Sequence, residues 1–177
     1  MTKNPVTIGF ILYAVTMMVF FIVYYLFANA NYFETSMQVN AFGMTFLYVL
    51  AGFASTYWLR VGTLITYPQA FKQTFLTLFT GGVLSMFSIF AFLNYADTDA
   101  RDLLNHQYIQ TELDNLDESY AKLKVEAANQ KDRTKVKDLE DNYNGAKQAR
   151  EMAQKENRNY FSFKFMSAVF GGFLLFY

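Results

Sequence analysis

Three long stretches of the chain, residues 4–33, 35–59 and 73–96, contain no Asp, Glu, Lys or Arg and consist largely of Val, Ile, Leu, Met, Phe, Tyr and Ala. A hydrocarbon layer about 30 Å thick is crossed by roughly 20 apolar helical residues, so each stretch is long enough to be a membrane span. Inside lipid a backbone must satisfy its own hydrogen bonds, which makes a helix the expected form. The pattern predicts helices over about residues 5–28, 39–59 and 73–95, with a short connector at residues 60–72 that bends at Pro68. A fourth apolar run, residues 160–177, is expected to cross as well. Its Lys164 must then snorkel to the interface, and because no polar flank follows Tyr177 the natural chain is expected to continue beyond it.

Polar positions are as unevenly placed as apolar ones: 25 of the 30 charged residues lie between Asp97 and Arg158. Within this insert Ile109, Leu113, Leu116, Tyr120, Leu123 and Ala127 recur at alternating spacings of four and three, the spacing of a coiled-coil seam. Val136, Leu139, Tyr143, Ala146 and Ala153 form a second seam, and the polar residues Asn129–Asp132 between them read as a turn. Two helices of about residues 100–128 and 133–158 follow, each roughly 40 Å long at 1.5 Å per residue. The predicted fold is therefore all-α: a polytopic membrane protein with four transmembrane helices and an antiparallel helical hairpin, residues 97–159, inserted between the third and fourth. The seams are thin, and Gly145 weakens the second helix by about 1 kcal/mol relative to Ala, so the hairpin is expected to rest on a partner.

Small residues refine the picture of the spans. Thr77, Gly81 and Ser85 stand four apart in the third, and the fourth carries Ser167, Ala168, Gly171 and Gly172. Such stripes let neighbouring backbones approach closely, and the two are expected to face each other. The first span could instead be a signal peptide, with Lys3 as its basic region and Ala28-Asn29-Ala30 as a cleavage site. Its apolar core is too long for that, since signal cores run about 7–15 residues.

Orientation follows from Lys and Arg in short loops. Lys3 precedes the first span and Arg60 and Lys72 flank the second connector, whereas the first connector carries only Glu34. The expected topology is a cytoplasmic N-terminus with residues 97–159 outside the cytoplasm and the last run returning the C-terminus inside. Arg150, Lys155, Arg158 and Lys164 run against this assignment.

Composition removes several kinds of chemistry. With no Cys and one His the chain lacks the residues for a disulfide, a thiolate site or a histidine pair. A net charge of zero gives no basic field for nucleic acid. His106 stands four residues from Asp102, but one imidazole beside one carboxylate is common on solvated helices. Glu112, Asp114, Asp117 and Glu118 lack the glycine-bearing loop of a calcium site and read as a polar helix face. Gly81-Gly82 and Gly171-Gly172 lack the strand and Lys of a phosphate loop. Transport would be marked by ionisable residues deep in the spans. The first three carry no acidic or basic residue at depth, and Tyr13, Thr16, Tyr48, Ser55, Thr77, Thr80, Ser85 and Ser88 read as ordinary packing and hydrogen-bonding positions.

Two spans, a connector leading into Tyr67-Pro68-Gln69-Ala70-Phe71-Lys72, a third span ending in Phe92-Leu93-Asn94-Tyr95, a charged helical insert and a last span together resemble the Bacteroidota group of small four-helix membrane proteins catalogued as domain of unknown function 4199. The resemblance implies an inner-membrane location and this topology, and it supplies no catalytic residues. The functional expectation is a non-enzymatic accessory or scaffold subunit without cofactor or metal. It would lie in the lipid bilayer and bind another membrane protein or a second copy through its hairpin and its transmembrane surface. A small transporter or channel component, active as an oligomer, is the alternative.

Overall fold

A computed structural model describes residues 4–29, 31–62, 64–129 and 133–167. Among them the chain forms six α-helices and divides into two compact units, Met1–Asp97 and Thr98–Tyr177.

In the first unit, α1 (Pro5–Phe27) opens with Asn4, whose side-chain oxygen accepts the Val6 N–H at 2.9 Å. Pro5 fills the first helical position, where a missing N–H costs nothing. Helix α2 (Tyr32–Gln38) passes through a π-helical segment, Val39–Met44, directly into α3 (Thr45–Arg60). The resulting helical run, Tyr32–Arg60, starts seven residues before the expected span, since the sequence reading began it at residue 39. Helix formation does not require apolarity, and here Gln38 donates to the Glu34 carboxylate one turn earlier at 3.1 Å. The run ends where Gly62 takes φ +78°, a backbone that side chains disfavour.

Helix α4 (Tyr67–Ala91) begins six residues earlier than expected, and Pro68 lies in its first turn instead of at a bend in the connector. Thr66 and Gln69 form the capping box that starts it, with Gln69 Oε1 accepting the Thr66 N–H at 2.9 Å. Proline suits that first turn for the same reason as in α1. A second π segment, Phe92–Ala96, prolongs α4 until Asp97 turns to extended backbone at φ −140°. The runs Pro5–Phe27, Tyr32–Arg60 and Tyr67–Ala96 are each long and apolar enough to cross a membrane.

Packing in this unit centres on α1 and α4. Helix α4 buries Gln73, Thr77, Gly81 and Ser85, every fourth residue, and α1 buries Ile8, Gly9, Leu12, Thr16 and Val23. Two glycines set the approach. A Cβ on Gly81 would lie 2.8 Å from Leu12 Cδ2, and one on Gly9 would lie 2.7 Å from Thr80 Cβ and 3.0 Å from the Thr77 carbonyl oxygen. Gly52 of α3 likewise lies against α4, where a Cβ would meet Thr74 Cγ2 at 3.1 Å.

The second unit holds α5 (Thr98–Asn129) and α6 (Arg133–Lys155). Helix α6 stops three residues before the expected end at 158, because Asn157 adopts φ +49° and the Arg158 N–H turns back to the Ala153 carbonyl at 2.9 Å. Residues 163–167 are helical again and begin the last apolar run. Ala168, Gly171 and Gly172 lie outside the described residues, so three of the four small positions of that run have no structural account.

The glycine contacts predict opposite outcomes for adjacent positions. Gly9→Ala and Gly81→Ala should each lower stability in mild detergent by about 1–3 kcal/mol, as overpacking does. Gly82→Ala, whose Cβ would meet only the Tyr48 ring at 3.5 Å, should gain up to about 1 kcal/mol of helix propensity. Thr16 has a buried hydroxyl with no hydrogen-bond partner among the described residues. Thr16→Val should therefore stabilise the protein by about 1 kcal/mol. Helical signal followed through chemical unfolding checks all four.

Candidate functional site

Two constellations carry the polar chemistry of the chain, one in each unit. In the first, hydroxyl groups join the apolar helices. Thr77 of α4 donates to the Pro5 carbonyl at 3.2 Å and stands 2.7 Å from the Ser55 hydroxyl of α3. With its single proton committed to Pro5, Thr77 must accept from Ser55. The same logic applies one turn away, where Thr74 donates to the Gly52 carbonyl at 3.4 Å and stands 2.7 Å from Thr56. Tyr13 of α1 and Ser88 of α4 pair at 3.0 Å, and Ser85 turns back on the Gly81 carbonyl at 2.7 Å. In an apolar medium such bonds contribute about 0.6 kcal/mol each on average, up to about 1.7.

The expected stripe Thr77, Gly81 and Ser85 is thus buried, but it is Leu12 of α1 that covers Gly81, and Ser55 and Pro5 that engage Thr77. The other partner expected for this stripe, the small positions Ala168, Gly171 and Gly172 of the last apolar run, lies outside the described residues. A helix bearing small residues accepts any neighbour that brings a matching surface, and α1 brings Gly9 and Leu12. Ser167 is exposed and donates to the Phe163 carbonyl of its own turn at 2.8 Å.

One contact of this unit had no sequence signal. The Tyr24 hydroxyl donates to the Asp97 carboxylate across 73 positions of chain. Phe92 lies edge-on to Phe20 and Tyr24, with ring centres 5.6 and 5.1 Å away, and so backs the phenol as it reaches the first acid after the third apolar stretch. Tyrosine at the end of an apolar helix is ordinary, so only the fold reveals its partner.

In the second unit the predicted seam positions divide by exposure. Ile109 is buried, and Leu113, Leu116, Tyr120, Val136, Leu139 and Tyr143 are half-buried. Leu123 remains 45% exposed. The Tyr120 and Tyr143 rings stack with centres 4.1 Å apart and planes 19° from parallel. Beside them the Asp117 carboxylate accepts from the Tyr143 hydroxyl at 2.6 Å and from Lys147 Nζ at 3.3 Å. The phenol above all, and then the ammonium, hold Asp117 below the usual carboxylate range despite partial desolvation. Lys147 is raised correspondingly, first by Tyr143 and then by Asp117.

Further contacts join α5 and α6, and partners on α6 fall in number as those on α5 rise. Asn105 donates to the Arg158 carbonyl and accepts the Tyr160 N–H at 3.1 Å. His106 meets Gln154 at 3.1 Å, and Arg150 meets Glu112 at 3.1 Å. Burial, then the neighbouring Glu112 carboxylate, pushes the Tyr108 phenol up. Among the described residues Asp102 is engaged by Arg101 at 2.7 Å and His106 by Gln154, so the two do not form a pair. The acidic face is likewise taken residue by residue. Asp114 accepts from Gln110 at 3.0 Å and Glu118 pairs with Lys122 at 2.6 Å, in addition to the Glu112 and Asp117 contacts. Leu123 and Val125 of α5 and Met152 of α6 are exposed among these polar contacts.

Residues 7–176 match a family described as "Protein of unknown function (DUF4199)". No curated protein matches the chain. No solved structure matches it either.

The charge pair predicts a defined pH response. A carboxylate whose folded pKa is lowered adds stability above its unfolded value and loses it as pH falls through the folded one; a raised lysine adds stability below its unfolded value and loses it as pH rises through the folded one. The Asp117–Lys147 contact should therefore support the helix pair across neutral pH and fail at both extremes. Tyr143→Phe removes the chief cause and should move the Asp117 pKa up toward the usual range, as read by carboxyl-carbon NMR titration.

Proposed function

As the chain belongs to the DUF4199 family, we propose that it is a non-enzymatic integral membrane accessory or scaffold subunit. In this reading the three apolar helices and the last apolar run form four spans. Helices α5 and α6 form an antiparallel hairpin that presents the recognition surface. The observation that carries it is the division of polar chemistry described above. Five hydroxyl-bearing pairs or bonds join α1, α3 and α4 through Tyr13, Ser55, Thr56, Thr74, Thr77 and Ser88, while nearly all the charge lies in the segment of α5 and α6. Contacts whose partners run in opposite directions along α5 and α6 support the hairpin. The individually exposed apolar side chains Leu123, Val125 and Met152 support its use in binding.

The partner class is another membrane protein or a second copy, and the compartment is a bacterial inner membrane with a cytoplasmic N-terminus and a periplasmic hairpin. The Lys and Arg placement around the first three spans supports that orientation.

The chain has no cysteine, so single introduced cysteines report location without background. Asn144→Cys should react with a membrane-impermeant maleimide in intact spheroplasts, and Asn4→Cys only after lysis; the reverse pattern would invert the topology. A photo-crosslinking residue at Met152 should give a discrete larger species in native membranes. Monomer alone from positions 123, 125 and 152 would defeat the binding reading, and solute flux through vesicles holding the purified chain would favour a transporter.

A further inference from the structure

The two paired helices carry the same short segment twice. Leu113, Leu116, Asp117, Glu118, Tyr120 and Lys124 of α5 recur 23 residues later as Val136, Leu139, Glu140, Asp141, Tyr143 and Lys147 of α6. Both read as an aliphatic residue, a leucine three on, two acids, then tyrosine and lysine at fixed intervals. Exposure repeats as well: positions 113, 116 and 120 are half-buried with exposed residues between them, and so are 136, 139 and 143.

Contacts repeat with the sequence. Lys124 Nζ lies 5.3 Å from the centre of the Tyr120 ring, and Lys147 Nζ lies 5.3 Å from that of Tyr143. The two rings stack on each other, so the tyrosines occupy the middle and each carries its own lysine. Each lysine also feels the acid of the opposite helix. Lys147 reaches Asp117 at 3.3 Å, and Lys124 is raised first by Tyr120 and then by the charge of Glu140. Shifting Asp117 and Lys147 by the repeat interval gives Glu140 and Lys124, so the same charges stand at positions that exchange with the helices, as an ion pair in the first case and as a longer-range attraction in the second.

We infer that residues 113–124 and 136–147 are two copies of one self-complementary pairing segment, related by a local two-fold axis through the Tyr120–Tyr143 stack, and that this segment sets the register of the hairpin. Antiparallel helices bearing the same code match only when the tyrosines meet. A slip of one helical turn, about 5.4 Å, parts the rings and leaves each acid opposite a position other than its lysine. The thin aliphatic seam has little with which to choose between registers, so the choice falls to the tyrosine stack and the two acid–lysine pairs across it. The equivalence is confined to the centre. Glu112 and Arg150 pair, but the positions the repeat relates them to are Lys135 and Ala127.

The inference rests on the hairpin reading, and the experiment separates the two. In the full chain, His106→Cys with Gln154→Cys should form an intramolecular disulfide on mild oxidation; no disulfide would refute the hairpin itself. In that background residues 113–124 are exchanged with 136–147. Interchangeable copies predict crosslinking within about two-fold of the parent, while a control with residues 136–147 scrambled should lose about ten-fold. An exchanged chain that behaves like the scrambled one overturns the repeat. Charge reversal supplies a second measurement. Asp117→Lys should slow crosslinking and Lys147→Asp should restore it, and Glu140→Lys with Lys124→Glu should do the same. Rescue of the first pair without the second would overturn the two-fold relation.

Discussion

The first unit depends on the close approach of α1 and α4. Two glycines, one on each helix, remove the side chains that would otherwise hold the helices apart, and Leu12 and Thr80 occupy the space so released. Other contacts of the unit follow from that distance. Thr77 reaches the Pro5 carbonyl because α1 lies close enough to offer it, and once its proton is committed there its lone pairs are left for Ser55 of α3. A hydroxyl has one proton and can thus order three helices at one point, by donating to one and accepting from another.

The second unit is organised by a different force. Its aliphatic seam is half exposed, and the specificity comes from pairs in which an aromatic ring, a carboxylate and an ammonium share one another. Asp117 shows how these reinforce each other: the Tyr143 phenol and the Lys147 ammonium both favour its charged form, and Lys147 in turn meets the Tyr143 oxygen at 2.9 Å. Each contact alone is solvent-exposed and weak. Held in one cluster, they order a surface that aliphatic packing alone would leave loose.

Much of this was legible in the chain itself. Charge-free stretches marked three apolar helices, and heptad spacing marked α5 and α6 with their seam residues. Boundaries were less legible, because they follow local hydrogen bonds that apolarity does not encode. Gln69 capping Thr66 moved the start of α4 back past Pro68, and Asn157 in the left-handed region ended α6 early. Small-residue stripes showed which face of α4 would be buried, while α1 as a neighbour of that face, through Gly9 and Leu12, carried no such signal. The Tyr24–Asp97 contact joins residues far apart in sequence and could be seen only once the helices were placed.

The π-helical segment Val39–Met44 has a meaning for how the long helix Tyr32–Arg60 can change over time. A π turn holds one residue more than an α turn, and each helical residue advances the side-chain direction by about 100°. The segment therefore acts as a phase shift between the polar beginning of the helix and its apolar remainder. Loss of a single residue there would restore a regular helix and turn the face bearing Tyr32 by about a quarter of a revolution against the face bearing Ser55. The facing of the helix consequently depends on the number of residues in the segment more than on their identity, all of them being exposed or half-buried.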